Sequence, residues 1–236
     1  NYQTNTNQLT HVRDTYSVGI TDNDIGNQSP NNYTYDAIGN LISDNAENIT
    51  NIQWSIAGKI MRIDKQGANH TYAYSPLGSR IKKEVEDTTL WYVHDATGNI
   101  MAIYKWDGTN YFLQEQPIYG ASRIGSNRLK KVLDLENLEA REDNFVFIRG
   151  NKQFELSNHL GNVLASVSDK KLQIENSTNY KANILTATDY YPYGMQMQTF
   201  NQANSNYTFG FNGKEKDNKL KGKGNSYDFG ARINDP

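Results

Sequence analysis

Four glycines recur at a nearly fixed interval, Gly39, Gly58, Gly78 and Gly98, with gaps of 19, 20 and 20 residues, and the residues in front of each align as well. The windows read YTYDAIGNL (33–41), IQWSIAGKI (52–60), YAYSPLGSR (72–80) and YVHDATGNI (92–100). Three positions before each glycine stands Asp36, Ser55, Ser75 or Asp95. These side chains accept a hydrogen bond from the backbone two residues on, and a type I turn favours them at its first position, with Gly at its fourth. Upstream of each turn the bulky residues sit two apart: Tyr33 and Tyr35, Ile52 and Trp54, Tyr72 and Tyr74, Tyr92 and His94. Residues two apart on a strand share a face. Each unit therefore predicts a strand with a paired aromatic face, a tight turn ending on glycine, and a returning strand. One hairpin cannot bury such a face alone, whereas hairpins stacked at a fixed period can. The predicted fold class is all-β, built from repeated antiparallel hairpins.

Composition fits this reading. The chain has 236 residues, 30 of them asparagine, with 16 Tyr, 8 Phe and 3 Trp in a 36% hydrophobic total. Polarity at this level suggests disorder unless the rings are organised on one face, and the repeat organises them. A net charge of −2 from 24 basic and 26 acidic residues gives no general basic field, which argues against broad nucleic-acid affinity. No apolar run approaches the roughly 20 residues that span a bilayer, so direct membrane insertion by a helix is not expected. The N-terminal NYQTNTNQLT has no signal-peptide pattern. Without cysteine there are neither disulfides nor thiolate zinc sites.

The YxYDxxGN/R pattern at a spacing near 20 resembles the Rhs (rearrangement hotspot) and YD-repeat family. Three later strings, ELSNHLGNVLASVSD (155–169), ATDYYPYGM (187–195) and YTFGFNGKEKDNKLKGKGNSYDFGARINDP (207–236), resemble the Rhs-repeat-associated core region of Bacteroidetes type. The resemblance implies a β-ribbon spiralling into part of a hollow shell that encloses a variable C-terminal cargo, often a toxin. It divides the chain into YD-repeat hairpins (1–125), a charged insertion or connecting segment (126–153) and the associated core region (154–236). The expected partners are the rest of the same shell, the cargo, and proteins of a secretion machinery. The expected location is secreted or at the cell surface, and the Bacteroidetes flavour implies the type IX route. The alternative is a surface adhesin or carbohydrate binder whose aromatic face stacks on sugars. Packing of Tyr33, Tyr35, Tyr72 and Tyr74 between hairpins favours the shell; a contiguous exposed patch favours binding.

Two stretches interrupt the pattern. Residues 126–144, SNRLKKVLDLENLEAREDN, allow either a helix or a charged insertion loop, and 168–183 reads as a projecting hairpin or loop. The histidines His11, His70, His94 and His159 lack metal-ligand spacing, and no cofactor motif is present. His94 takes an aromatic position, while His159 is the second residue of a turn framed by Asn158 and Gly161. The lysine-rich GKEKDNKLKGKG (213–224) lacks the spacing of a phosphate loop and reads as a solvated basic turn.

The chain stops at DFGARINDP, before the second Asp-Pro that the resemblance would supply. In self-cleaving relatives the two aspartates act as a pair, one protonated as acid and one ionised as base. Asp235, with Arg232 as a candidate charge partner, is half of that pair, so no enzyme is expected in this fragment. The full-length parent is expected to begin before residue 1 and to continue past Pro236.

Overall fold

The structure, a computed structural model, describes residues 1–14, 26–133, 147–197, 207–222 and 224–229, together with the backbone of 233–234. Its main body is a 14-stranded antiparallel sheet in which, apart from β11, neighbours in sequence are neighbours in space. The strands are β1 (Tyr33–Tyr35), β2 (Leu41–Asp44), β3 (Ile49–Trp54), β4 (Ile60–Lys65), β5 (His70–Tyr74), β6 (Arg80–Val85) and β7 (Thr88–His94). They continue as β8 (Ile100–Trp106), β9 (Tyr111–Tyr119), β10 (Arg123–Asn127), β11 (Lys131–Leu133), β12 (Lys152–Ser157), β13 (Val163–Gln173) and β14 (Tyr180–Ala187). A second sheet holds β15 (Glu215–Lys216), β16 (Tyr227–Asp228) and β17 (Ile233–Asn234). The molecule is thus all-β and made of repeated antiparallel hairpins.

The hairpin turns share one geometry. The N–H of Asp36 donates to the Asn40 carbonyl at 2.9 Å and that of Gly39 to the Asp36 carbonyl at 3.1 Å, and the same two bonds close the turns at Ser55, Ser75, Asp95 and Asn158. Gly39, Gly58, Gly78, Gly98 and Gly161 hold φ between 69° and 92°, a left-handed conformation that costs glycine nothing. Just beyond each turn the returning strand carries one residue more than its partner: Ile42, Met61, Ile81, Met101 and Leu164 are skipped by the ladder. Such bulges increase the local twist of the sheet.

The paired aromatic residues have two distinct tasks. The first members, Ile52, Tyr72 and Tyr92, are buried at 6%, 4% and 4% exposure. Two of the second members, Trp54 and Tyr74, clasp the preceding hairpin. The Trp54 indole N–H donates to the Leu41 carbonyl at 2.8 Å and the Tyr74 hydroxyl to that of Ile60 at 2.9 Å; farther along, Tyr119 reaches Ile100 at 3.2 Å and Tyr190 reaches Val163 at 2.9 Å. Each acceptor lies two residues after a turn glycine. Every clasp thus satisfies a carbonyl next to a bulge, where the ladder is broken. Ile49, Ile52, Ile60, Ile63, Tyr72 and Leu220 form the main core, with Leu41, Trp54 and Tyr74 packed against it.

The segment that allowed a helix begins instead as strand. β10 pairs with the second half of β9 and β11 with the first half, Lys131 opposite Leu113, so extended pairing with β9 overrides the local apolar spacing. The chain breaks between them at Lys130, whose φ is 44°. The rest of that segment, 134–146, lies outside the described residues. The polar stretch 168–183 forms the hairpin between β13 and β14.

Candidate functional site

One face of the large sheet is crossed by the chain itself. Residues 207–222 contact the strands in succession from β12 back to β2, in the reverse of the sheet order. At the start Tyr207 and Phe209 pack with Val163, and the Tyr207 hydroxyl donates to Glu155 on β12 at 2.5 Å. Thr208 donates to Glu115 on β9 at 2.9 Å. A turn at 210–214 leads into β15, where Glu215 accepts from Arg80 on β6 at 2.8 Å and from Tyr92 on β7 at 3.0 Å. Asp217 pairs with Lys83 at 2.8 Å and accepts from the Tyr72 hydroxyl at 3.3 Å. Leu220 then enters the main core, and its carbonyl accepts from Lys65 on β4. Lys221 ends the traverse on Asp44 of β2 at 2.8 Å. We call this segment the strap.

The strap returns through β16, which folds back on its start. Gly210 is required there because a β-carbon would lie 2.8 Å from the Tyr227 ring. Asp228 completes the most heavily charged cluster, placing a second carboxylate 2.5 Å from Arg80. The Arg80 side chain is 6% exposed and also lies against the faces of Tyr72 and Tyr92, 5.6 and 5.1 Å from their centroids. One guanidinium thus serves two carboxylates and two rings, a task suited to a planar cation with several fixed donors.

Burial governs the electrostatics beneath the strap. It pushes the phenols of Tyr72 and Tyr92 well above their ordinary range, so both remain hydrogen-bond donors. Burial also raises the Glu115 carboxyl, against the opposing hydrogen bond from Thr208. For Asp217 burial acts upward as well, but Lys83 and His70 outweigh it and the carboxyl titrates below its ordinary value. Desolvation lowers His70, favouring the neutral ring.

Between the strap and one row of turns runs a groove of about 1060 Å³. Turn residues Gly78, Gly98, Asn158 and Gly161 border it, as do His94 and His159. Asp36, Gly39, Ser55 and Gly58 belong to hairpins nearer the N-terminal end of the sheet, and Ser75 and Asp95 open the turns that contain Gly78 and Gly98. Arg232 and Asp235 lie outside the described residues.

The lysine-rich run is not a solvated basic turn. Leu220 is 3% exposed within the core, Asp217 is buried, and Lys221 is drawn to Asp44 because an isolated buried carboxylate would be costly. The Lys219 pair with Glu86 is substantially exposed, at 53% for both side chains. Lys223 lies outside the described residues. Sequence reasoning also missed Arg80, Lys83, Glu115 and Glu215. The available signal was Arg80 and Lys83 on a strand whose Val85 is apolar, a cationic inner position that calls for acidic partners elsewhere in the chain.

No protein-family model and no curated protein matches the chain. Among solved structures, the crystal structure of TcdB2-TccC3 without hypervariable C-terminal region aligns at a TM-score of 0.45 and 16% identity, covering 79% of this chain and 8% of that one. TcdB2-TccC3 aligns at 0.44 and 17% identity over 78% of this chain, and TcdB2-TccC3-TEV at 0.43 and 16% over 78%. The chain spans 8% of the length of each of these.

Proposed function

We propose that this chain is a structural piece of a larger Rhs/YD-type shell that encloses or presents a C-terminal cargo for export or delivery to or beyond the cell surface. The observation that carries the reading is the pairing of a ribbon of successive hairpins with a strap lying along one of its faces. A wall that holds its own downstream chain on one side is a suitable element for enclosing a C-terminal segment. Of the four discriminating rings, Tyr72 is buried and Tyr74 packs against the core. Tyr33 and Tyr35 are half-buried with their hydroxyls bonded to Gln28 and the Leu9 carbonyl, an arrangement that supports a wall over a sugar platform.

The test uses the full-length parent with its downstream segment. Enclosure predicts that protease leaves that segment intact until the shell is unfolded. Cleavage at the rate of the same segment expressed alone would overturn the reading. Self-cleavage of the parent through Asp235 is part of this proposal: intact-mass analysis should show a released C-terminal fragment in the parent and none in the Asp235→Asn parent. Export predicts recovery of the parent outside the cell or on its surface.

A further inference from the structure

Of the 30 asparagines in the chain, only Asn212 is followed by glycine. The pair forms the tip of a hairpin within the strap, where Phe209 bridges to Glu215 and the Lys214 N–H donates to the Phe211 carbonyl at 2.9 Å. Asn212 and Gly213 hold φ of 49° and 63°. Two successive left-handed residues make a type I′ turn, for which Asn-Gly is a preferred pair. Turn chemistry therefore accounts for the two residues locally. It also places a reactive peptide unit in the strap.

An asparagine before glycine is open to attack by its own backbone, because the glycine that carries the attacking nitrogen has no side chain to shield it. The Gly213 nitrogen bonds to the Asn212 Cγ, the bond from Cγ to Nδ2 breaks, and ammonia leaves with the proton of the Gly213 amide. Water then opens the resulting succinimide at either carbonyl, which yields aspartate or isoaspartate at position 212. The Asn212 side chain is exposed and borders the groove, so water reaches it.

The closed strap opposes the first step. Asn212 has ψ of 28°, which turns its Cβ to the far side of the Cα–C bond from the Gly213 nitrogen, whereas ring closure needs the two nearly eclipsed. The Gly213 N–H is also engaged, donating to the Gly210 carbonyl at 3.0 Å. Two contacts with the sheet hold this geometry. The Asn212 N–H donates to Asn162 Oδ1 at 2.8 Å, and the Gly213 carbonyl accepts from Arg123 Nη2 at 2.8 Å. Asn162 is buried and Arg123 is tied to Glu155, so neither follows the turn when it moves.

We propose that Asn212 is a spontaneous deamidation site gated by the strap: it reacts when the strap lifts, and its isoaspartate product keeps the strap from closing. Isoaspartate lengthens the main chain by one methylene, so the bonds to Asn162, Gly210 and Arg123 cannot all re-form. The rate is set by local opening of this segment. The site needs only this chain and stands or falls separately from the shell reading.

The experiment incubates the 236-residue chain beside a free peptide of residues 207–219 in mildly alkaline buffer, with conversion at position 212 followed by peptide mapping and isoaspartyl methyltransferase labelling. The peptide should convert at least about tenfold faster than the chain, since only the open fraction of the chain reacts. Arg80→Met, which removes the cation paired with Glu215 and Asp228, should speed conversion in the chain by about threefold or more. If that variant unfolds, Asn162→Ala, which removes only the acceptor of the Asn212 N–H, supplies the same comparison. Aged chain carrying isoaspartate should show faster amide exchange across 207–222. Asn212→Gly keeps the left-handed turn and has no side-chain amide to lose, so it should age without that change. Equal rates in chain and peptide, or conversion at the native rate in the folded variants, would overturn the gate. Unchanged strap exchange in the isoaspartate form would overturn the latch.

Discussion

The sheet and the strap are built by opposite means. Each hairpin satisfies its polar groups locally: Asp36 and Asp95 bond to their own turns, and apart from β11, which returns to β9, each strand pairs with the next one in the sheet. The strap owes its place to side chains that meet partners 52 to 177 residues away, most of them charged and buried. A periodic sequence can specify a wall because every unit repeats the same short-range instructions. It cannot specify a single path across that wall. That path is set by non-repeating charges, Arg80, Lys83 and Asp44 on the sheet, met by Glu215, Asp217 and Lys221.

The sharpest way to break this contrast is at Arg80. Arg80→Met leaves Glu215 and Asp228 together without their cation, and removal of one partner from a buried ion pair costs about 3–5 kcal/mol. Urea denaturation should show a loss of that size, with amide exchange rising first in 207–222. A loss under about 1 kcal/mol would mean that apolar packing at Leu220 holds the strap.

A cycle at Lys83 and Asp217 separates specificity from stability. Lys83→Met and Asp217→Leu should each destabilise by about 3 kcal/mol, while the double variant should recover most of that, because an apolar pair of similar volume can replace a buried ion pair. Additive losses would show that His70 and Tyr72 depend on the charges independently.

The same contrast explains what could be read in advance. The hairpins were legible because glycine and an Asx or Ser residue at fixed spacing leave the backbone few choices. The paired rings marked an inner face. Their two separate tasks, Tyr72 toward the strap and Tyr74 toward the Ile60 carbonyl, were not legible, because the acceptors belong to other units. The strap was misread as solvated because EKDNKLK has no period of its own. Its acids become inner residues only when Arg80 and Lys83 lie beneath them, a condition imposed by tertiary contact. The apolar residues of 126–133 gave an ambiguous signal for the same reason, since pairing with β9 decides it.

Smaller effects are expected within the hairpins. Gly98→Val should destabilise by about 1–3 kcal/mol through backbone strain, since φ is 91° and a β-carbon would meet nothing within 4 Å. An unchanged melting temperature would reject the left-handed turn. Tyr74→Phe removes one clasp and leaves the Ile60 carbonyl without that donor, for a loss of about 1 kcal/mol. Strap exchange should stay unchanged in the glycine variant, which keeps turn damage distinct from strap release.

The gentlest test uses pH at a single turn. The Asp95 carboxylate accepts from the Thr97 hydroxyl and backbone N–H, both at 2.8 Å, and from the Asn99 backbone and side-chain N–H at 2.9 and 3.0 Å. These bonds favour the charged form, Thr97 foremost, and bring the carboxyl from 3.8 down to about 2. Because the folded value lies below the unfolded one, this contribution is present above the ordinary carboxylate value. It disappears as pH falls through the folded value, a window from about 4 to about 2. Melting temperatures across that window should therefore fall more steeply for the native chain than for Asp95→Asn. The turn is open to solvent, so the difference should be small, and strap exchange in the two proteins should match at each pH. If the two melting curves run parallel, the turn hydrogen bonds carry no pH-dependent stability. If strap exchange differs between the two proteins, the turns and the strap are coupled across the sheet, and the separation between local wall and long-range strap fails at that hairpin.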